Sequence, residues 1–225
     1  SASADEAVTV RVEAARALGE HRSDGAREAL GAIAAGDAPW RVREAAGAAL
    51  GVGGDGRLVG TFEALLRGTD SSKLRAGLLR GLGQVKDAAA LHLLRKWLDV
   101  PSPRDTVAAA AVRALAAQED ASTFDELALR AEAGHGRPVR RAALSGLSRL
   151  ARAEGAEASL KRRARETVEG HLADPAFHVR VEAIAVLGEL ADARSRPALE
   201  RAHGAEASAW LRRAVREALG KLAPS

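Results

Sequence analysis

Val10-Arg11-Val12-Glu13-Ala14-Ala15-Arg16-Ala17-Leu18-Gly19 returns six times along the chain. The copies run Val42-Arg43 to Leu50-Gly51, Leu74-Arg75 to Leu82-Gly83, Val107-Ala108 to Leu115-Ala116, Val139-Arg140 to Leu147-Ser148, Val179-Arg180 to Leu187-Gly188 and Leu211-Arg212 to Leu219-Gly220. Successive copies start 32, 32, 33, 32, 40 and 32 residues apart. A period of about 20–50 residues marks a stack of like supersecondary units, none of which can bury its apolar face alone.

The columns of the repeat have physical meaning. Position 1 is Val or Leu, position 5 is apolar and position 9 is Leu in all seven copies, which makes one helical stripe at i, i+4, i+8. Position 10 is Gly, Ala or Ser throughout, as a helix end or a close backbone approach requires. Position 2 is Arg in six of the seven. Asp37-Ala38-Pro39, Pro138 and Asp174-Pro175 precede three copies and fit an N-terminal cap with a helix-start proline.

Second helical segments lie between the copies: Gly25 to Ala35, Leu58 to Leu66, Ala88 to Leu98, Phe124 to Ala131, Leu160 to Leu172 and Arg196 to Ala202. Each repeat is then a hairpin of an outer and an inner helix. The expected fold is all-α, an α-solenoid occupying residues 1–225 as one domain. An unpaired helix at 8–19 precedes six hairpins that end near 51, 83, 116, 148, 188 and 220, stacked into a right-handed superhelix. The extra length of the 40-residue interval falls near Ala153 to Lys161.

The pattern Asp-x-Pro-x-Val-Arg-x-x-Ala-x-x-x-Leu-Gly, carried best by Asp37 to Gly51 and Asp174 to Gly188, resembles the HEAT-like repeats of phycobilin-lyase-type and related bacterial α-solenoids. The copy at Val107 departs most, with Ala108 in the Arg column. A narrower likeness lies in Gly136 to Leu144, Asp174 to Arg180 and Leu211 to Ala214. These stretches are similar to the C-terminal HEAT region of bacterial zinc aminopeptidases of the membrane-alanyl-aminopeptidase type. That resemblance implies a domain that closes over a catalytic domain and restricts which peptides reach the zinc. The family's His-Glu-x-x-His and Gly-rich exopeptidase motifs do not occur here, so no catalytic residue carries over. The copies imply an architecture that serves many partners. A chromophore-lyase role is the least supported, because no residue pattern marks a tetrapyrrole pocket.

Composition agrees with close-packed helices. Hydrophobic residues make up 47% of the 225, but aromatics only 3%, and 53 residues are Ala. Ala is the best helix former and has little bulk, whereas a sheet core needs β-branched and aromatic side chains. With no Cys, disulfides, thiolate zinc sites and cysteine nucleophiles are excluded, and the redox compartment stays undecided, with the cytoplasm favoured. The pI of about 10.1 reflects 29 Arg against five Lys, while the net charge is only +4, too small to mark a polyanion binder. No apolar run approaches the roughly 18 residues of a membrane span. An initiator Met is missing and Ser1-Ala2-Ser3-Ala4 reads as a junction, so a piece of a longer protein is the expectation. The polar last helix, with Arg212, Arg213, Arg216, Glu217 and Lys221, reads as the closing end of the array.

Catalytic and metal constellations are lacking. No His among His21, His92, His135, His171, His178 and His203 has a partner at i+4, and none is followed by Glu. His171 and His178 read as loop-edge residues near a hairpin turn. Gly51-Val52-Gly53-Gly54-Asp55-Gly56 follows a helix rather than a strand and reads as an inter-repeat loop, not a phosphate cradle. The column of Arg11, Arg43, Arg75, Arg140, Arg180 and Arg212 reads as a ladder bonding carbonyls or acids of the neighbouring repeat. Lys161-Arg162-Arg163-Ala164-Arg165, near Arg137, Arg140 and Arg141, could meet phosphates, but no aromatic is interleaved for stacking and Glu154, Glu157, Glu166 and Glu169 surround it. Trp40, Trp97 and Trp210 are expected to fill gaps between hairpins, with Trp40 and Trp210 stapling the starts of inner helices.

Candidate binding residues are the arginines near the middle of the inner helices: Arg16, Arg80 and Arg113 at position 7, Arg141 and Arg213 at position 3. On a concave inner-helix surface they would face an acidic partner or a peptide carboxylate. The expected function is a non-catalytic scaffold for a protein or peptide, in its specific form the accessory C-terminal domain of a zinc aminopeptidase partnered with its own missing N-terminal domains. A stand-alone adaptor is the alternative, and a nucleic-acid-binding solenoid a weaker one. No cofactor and no metal are expected.

Overall fold

The alternation of outer and inner segments appears as thirteen α-helices among the described residues, with short 3-10 turns and no strand. The structure, a computed structural model, describes the backbone of residues 2–222 and the side chains of 5–222, so the junction expected at Ser1 to Ala4 falls outside the described side chains. The chain divides into two compact units that meet in sequence at Gln118 and Glu119.

In the first unit the inner helices are α1 (Ala2–Glu20), α3 (Trp40–Ala49), α5 (Ser72–Leu82) and α7 (Thr106–Ala117). They pack side by side in that order. The outer helices α2 (Asp24–Ala35), α4 (Val59–Arg67) and α6 (Ala88–Arg95) each lie on the inner helix that follows and touch one another in sequence. In the second unit α9 (Arg137–Arg152), α11 (Phe177–Leu190) and α13 (Ala209–Lys221) form the inner layer. The outer helices α8 (Phe124–Ala131), α10 (Ala158–Gly170) and α12 (Arg196–Ala205) back them.

The stripe of positions 1, 5 and 9 is the core. Val42, Ala46 and Leu50, then Leu74, Leu78 and Leu82, then Val107, Ala111 and Leu115 are buried, as are their counterparts in α9 and α11. Each fully buried leucine adds about 2–3 kcal/mol over an exposed one. In α1 the stripe is not covered, and Val10 is 64% exposed.

Small residues let the inner helices approach. Gly47 faces Leu78, Gly51 lies against the Gly81 carbonyl, and Gly81 in turn against the Gly47 carbonyl, with Phe62 of α4 behind it. The eight extra residues of the 40-residue interval are spent on a longer α9, the loop Ala153–Glu157 and the 13-residue α10.

The turn signals behave differently from expectation. Pro138 stands in the first turn of α9, but Pro39 is the residue before α3 and Asp37 caps nothing, and α11 is preceded by Ala176 with no side-chain cap. Asp174 bonds the Ala176 amide in the turn instead. The side-chain caps are Ser23, Ser71, Asp87 and Ser208, each accepting a hydrogen bond from a first-turn amide. No helix among the described residues is long and apolar enough to cross a membrane.

Candidate functional site

The repeated arginine of position 2 has a structural job inside its own hairpin. An outer helix ends with carbonyls that no intrahelical amide reaches. Arg43 Nε donates to the Ala34 carbonyl at 3.0 Å, Arg75 Nε to that of Leu66 at 3.5 Å and Arg140 Nε to that of Ala131. Each arginine lies nine residues beyond the carbonyl it caps. Arg180 and Arg212 reach the carbonyls of Asp174 and Glu206, in the loops just before their own helices. The expected ladder between neighbouring repeats is therefore mainly a cap within each repeat, and Arg11, with no outer helix before it, is exposed.

Two of these arginines also reach forward. Arg140 and Asp174 meet at two points, Nη1 standing 3.2 Å from Oδ1, and both side chains are more than nine-tenths buried. Burial alone would push the Asp174 carboxyl up, but the Arg140 guanidinium, the Ala176 amide and His171 outweigh it and hold it below the usual value. Arg180 Nε lies 3.0 Å from Glu206. The Ser208 amide and, against the cost of burial, Arg180 keep Glu206 low as well.

The five candidate arginines all lie exposed on inner helices. Arg80 of α5 bonds Glu44 of α3 at 2.7 Å, and Arg141 of α9 bonds Glu182 of α11, which also accepts from the Ser145 hydroxyl. Arg16 and Arg213 pair within their own helices with Glu13 and Glu217. Arg113 is exposed on α7. Arg80 and Arg141 thus tie one inner helix to the next. The structure places Arg16, Arg80 and Arg113 on the inner layer of the first unit and Arg141 and Arg213 on that of the second.

The basic run of α10 is broken up. Arg163 pairs with Asp125 at 2.6 Å, and Arg165 is held by Glu166 and Glu169 with Asp192 nearby. His171 is buried beside Asp174, while His178 is exposed with its ring edge against Phe177. No group of three His, Asp or Glu side chains among the described residues could hold a metal ion.

Sequence reasoning missed the exposed aromatics. Trp40 is 44% and Trp210 56% exposed; neither fills a gap between hairpins. Both stand in the first turn of an inner helix, so their rings hang over the edge of the layer. Lys73 of α5 places its ammonium 4.0 Å from the Trp40 ring centre. In the second unit Phe177 and Trp210 stand 5.8 Å apart, with the Arg180 guanidinium over Phe177. Only Trp97, half-buried beside Arg75, behaves as expected. The signal was the placement of each ring just before position 1, where the repeat has no core slot.

Beside the Phe177–Trp210 edge, a cleft of about 550 Å³ opens between α12, the end of α10 and the loop before α11. Arg180 belongs both to its wall and to the aromatic edge.

Residues 59–148 match the HEAT repeats family. Comparison with curated proteins found no match. Among solved structures the chain is similar to one from the complex of CpcE and CpcF of phycocyanin lyase from Nostoc sp. PCC7120, with TM-score 0.59 and 24% identity over 72% of this chain and 98% of that one. It is also similar to a computationally designed armadillo repeat protein for modular peptide recognition, with TM-score 0.49 and 16% identity over 95% of this chain and 98% of that one. A second designed armadillo repeat protein gives TM-score 0.47 and 18% identity over 94% and 93%. The fold is an α-solenoid of HEAT-like repeats. None of these proteins is an aminopeptidase.

Proposed function

We propose that this α-solenoid is a non-catalytic scaffold that binds a protein partner, as an adaptor, through the inner helices and their aromatic edges. The observation that carries this reading is the set of large aromatic rings held exposed on rigid helix starts, Trp40 under Lys73 and Phe177 beside Trp210. Aromatic side chains cost water contact when left on a surface and are the commonest anchors of protein interfaces, together with Arg. The inner-helix arginines supply the polar surround. Because Arg80 and Arg141 are already bonded to Glu44 and Glu182, they offer a partner a mixed, near-neutral surface rather than a field of one sign.

That neutrality favours a protein over a nucleic acid. A polyanion site needs cations free to replace counterions. Here Arg163 and Arg165 are spent on Asp125, Glu166 and Glu169. The similar Nostoc chain belongs to a complex of two components, and a paired assembly of that general kind is what we propose for this chain. An accessory role beside a zinc aminopeptidase is a special case of the same scaffold, and no observation here favours it over a stand-alone adaptor.

The test is retention from a source-cell extract on the immobilised chain, followed by measurement of the retained protein's affinity in purified form. Trp40→Ala with Trp210→Ala should weaken that affinity roughly a hundredfold, since two aromatic anchors are removed. A partner held equally well by the double variant would overturn the reading. So would retention only of nucleic acid, with an affinity that falls steeply as salt rises.

A further inference from the structure

We propose that the cleft between α10 and α12 seats one segment of the protein partner, a bulky apolar side chain flanked by a carboxylate, with the side chain in the cleft and the carboxylate on Arg201; this rests on the scaffold reading above. The cleft exists because of what α12 presents to it. Ala198, Ala202 and Ala205 recur at i, i+4 and i+7, so the face of this outer helix that lines the cleft carries three methyl groups and, at i+3, Arg201. α10 and α12 are not among the helix pairs that pack against each other in the second unit, and the cleft occupies the space between them. Leu172 and Pro175 complete an apolar floor. At about 550 Å³ the space lies within the range of built ligand sites, roughly 300–1,000 Å³, and exceeds one large side chain.

Charge selects the occupant. Three carboxylates border the cleft, and each is already engaged: Glu169 by Arg165, Asp174 by Arg140 and Glu206 by Arg180. Arg201 is the exception among the charged residues of the wall, exposed and without an acidic partner among the described residues. A cation finds no free carboxylate there, and an anion finds one free guanidinium, whose planar fork suits a carboxylate. One cation over an apolar floor is a poor seat for a phosphate-rich polymer, which needs several.

Length distinguishes a protein segment from a free small acid. The cleft does not end at its wall: Arg180 lines it and also stands over Phe177, 5.8 Å from the ring centre, and Phe177 leads on to Trp210. A small acid would fill the cleft and leave that exposed pair unused. A chain continuing out of the cleft would cross it.

The experiment is an NMR titration of the whole chain with N-acetyl-phenylalanine, its neutral amide, and a longer synthetic peptide carrying Glu-Phe-Glu in its middle. The acid should shift the amide signals of Ala198, Arg201 and Ala202 at millimolar concentration. The neutral amide should bind roughly tenfold more weakly, the value of one charge-assisted bond at a surface. The peptide should bind roughly tenfold more tightly than the acid, and Trp210→Ala should abolish that gain alone. Arg201→Glu, at an exposed position, should remove the preference for the acid without unfolding the chain, and Ala202→Phe, which places a ring over the apolar floor, should weaken both. Equal binding of acid and amide, or no shift in these residues, would overturn the site. Equal binding of the acid and the peptide would overturn the protein-segment assignment in favour of a small-molecule pocket. If a partner protein is retained by the wild-type chain and equally by Arg201→Glu and Ala202→Phe, the scaffold reading stands and this site falls.

Discussion

Arg140 of α9 grips three oxygens from two other elements: the last carbonyl of α8 through Nε, and the two carboxylate oxygens of Asp174 in the loop before α11 through its remaining nitrogens. Its side chain is 6% exposed and that of Asp174 7%. Two successive repeats are fastened by one guanidinium.

Removing one partner leaves the other charge buried without compensation, which costs about 3–5 kcal/mol. Asp174→Ala should therefore lower the unfolding free energy of the second unit by that amount at neutral pH, read from urea titration. The double variant Arg140→Ala with Asp174→Ala should cost clearly less than the sum of the two singles, because the stranded charge is gone.

The same carboxylate makes stability depend on acid. Its folded-state pKa lies below the ordinary aspartate value of 3.8 because Arg140 and the Ala176 amide favour the ionised form more than burial disfavours it. A group depressed on folding adds stability above its unfolded pKa and loses it as pH falls through the folded value. Asp192, held low by Arg194, and Glu206, held low by the Ser208 amide and Arg180, act in the same direction. Stability should hold from neutral pH down to about pH 5 and then drop. Asp174→Asn should flatten part of that drop in melts taken from pH 7 to pH 2.5.

How much of this was legible follows from what periodicity reports. Val42, Ala46 and Leu50 stand at i, i+4, i+8, and a helix with that stripe buries it, so the core and hairpin order could be read directly. The arginine caps were readable in principle: Arg43, Arg75 and Arg140 each stand nine residues after the last turn of an outer segment. They were assigned to the neighbouring repeat because the loop conformation that folds those nine residues back leaves no trace in the pattern. Asp174-Pro175 looks like a helix cap in sequence, and only the packing of α9 turns the carboxylate towards Arg140. Trp40 and Trp210 were misplaced for a similar reason. A ring in the first turn of an inner helix can staple the turn or overhang the edge, and its immediate neighbours are alike in both cases.

Glycine substitutions should separate close packing from helix propensity. A Cβ at Gly51 would run into the Gly81 carbonyl, which cannot move without shifting α5. Gly51→Ala should cost about 3 kcal/mol or more. Gly31, inside α2, has nothing within 4 Å of an added Cβ, so Gly31→Ala should stabilise by about 0.5–1 kcal/mol. Urea titration of both variants checks the sign of each.

Arg43→Ala removes a cap but strands no charge, since its side chain bonds the Ala34 carbonyl and no carboxylate. A hydrogen bond from a charged donor is worth about 1.5–3 kcal/mol. The loss should be of that order, and smaller than that of Arg140→Ala. Amide exchange should quicken in the last turn of α2 and leave α3 protected. Uniform loss of protection would show that Arg43 braces the whole unit.

Arg80 offers the opposite case. Its pair with Glu44 is short, 2.7 Å, but its side chain is 59% exposed. Exposed pairs are worth about 0–1 kcal/mol because water screens them and two long side chains must be held in place. Arg80→Ala should therefore barely move the urea midpoint. Any change it makes in partner affinity then reports on the surface and not on folding. If the inner helices of the first unit face the partner, Arg80→Glu, which also repels Glu44, should slow association and weaken binding, with the effect fading as salt rises. Unchanged affinity for both variants would take Arg80 out of the interface and leave the Trp40 edge as the first unit's contact.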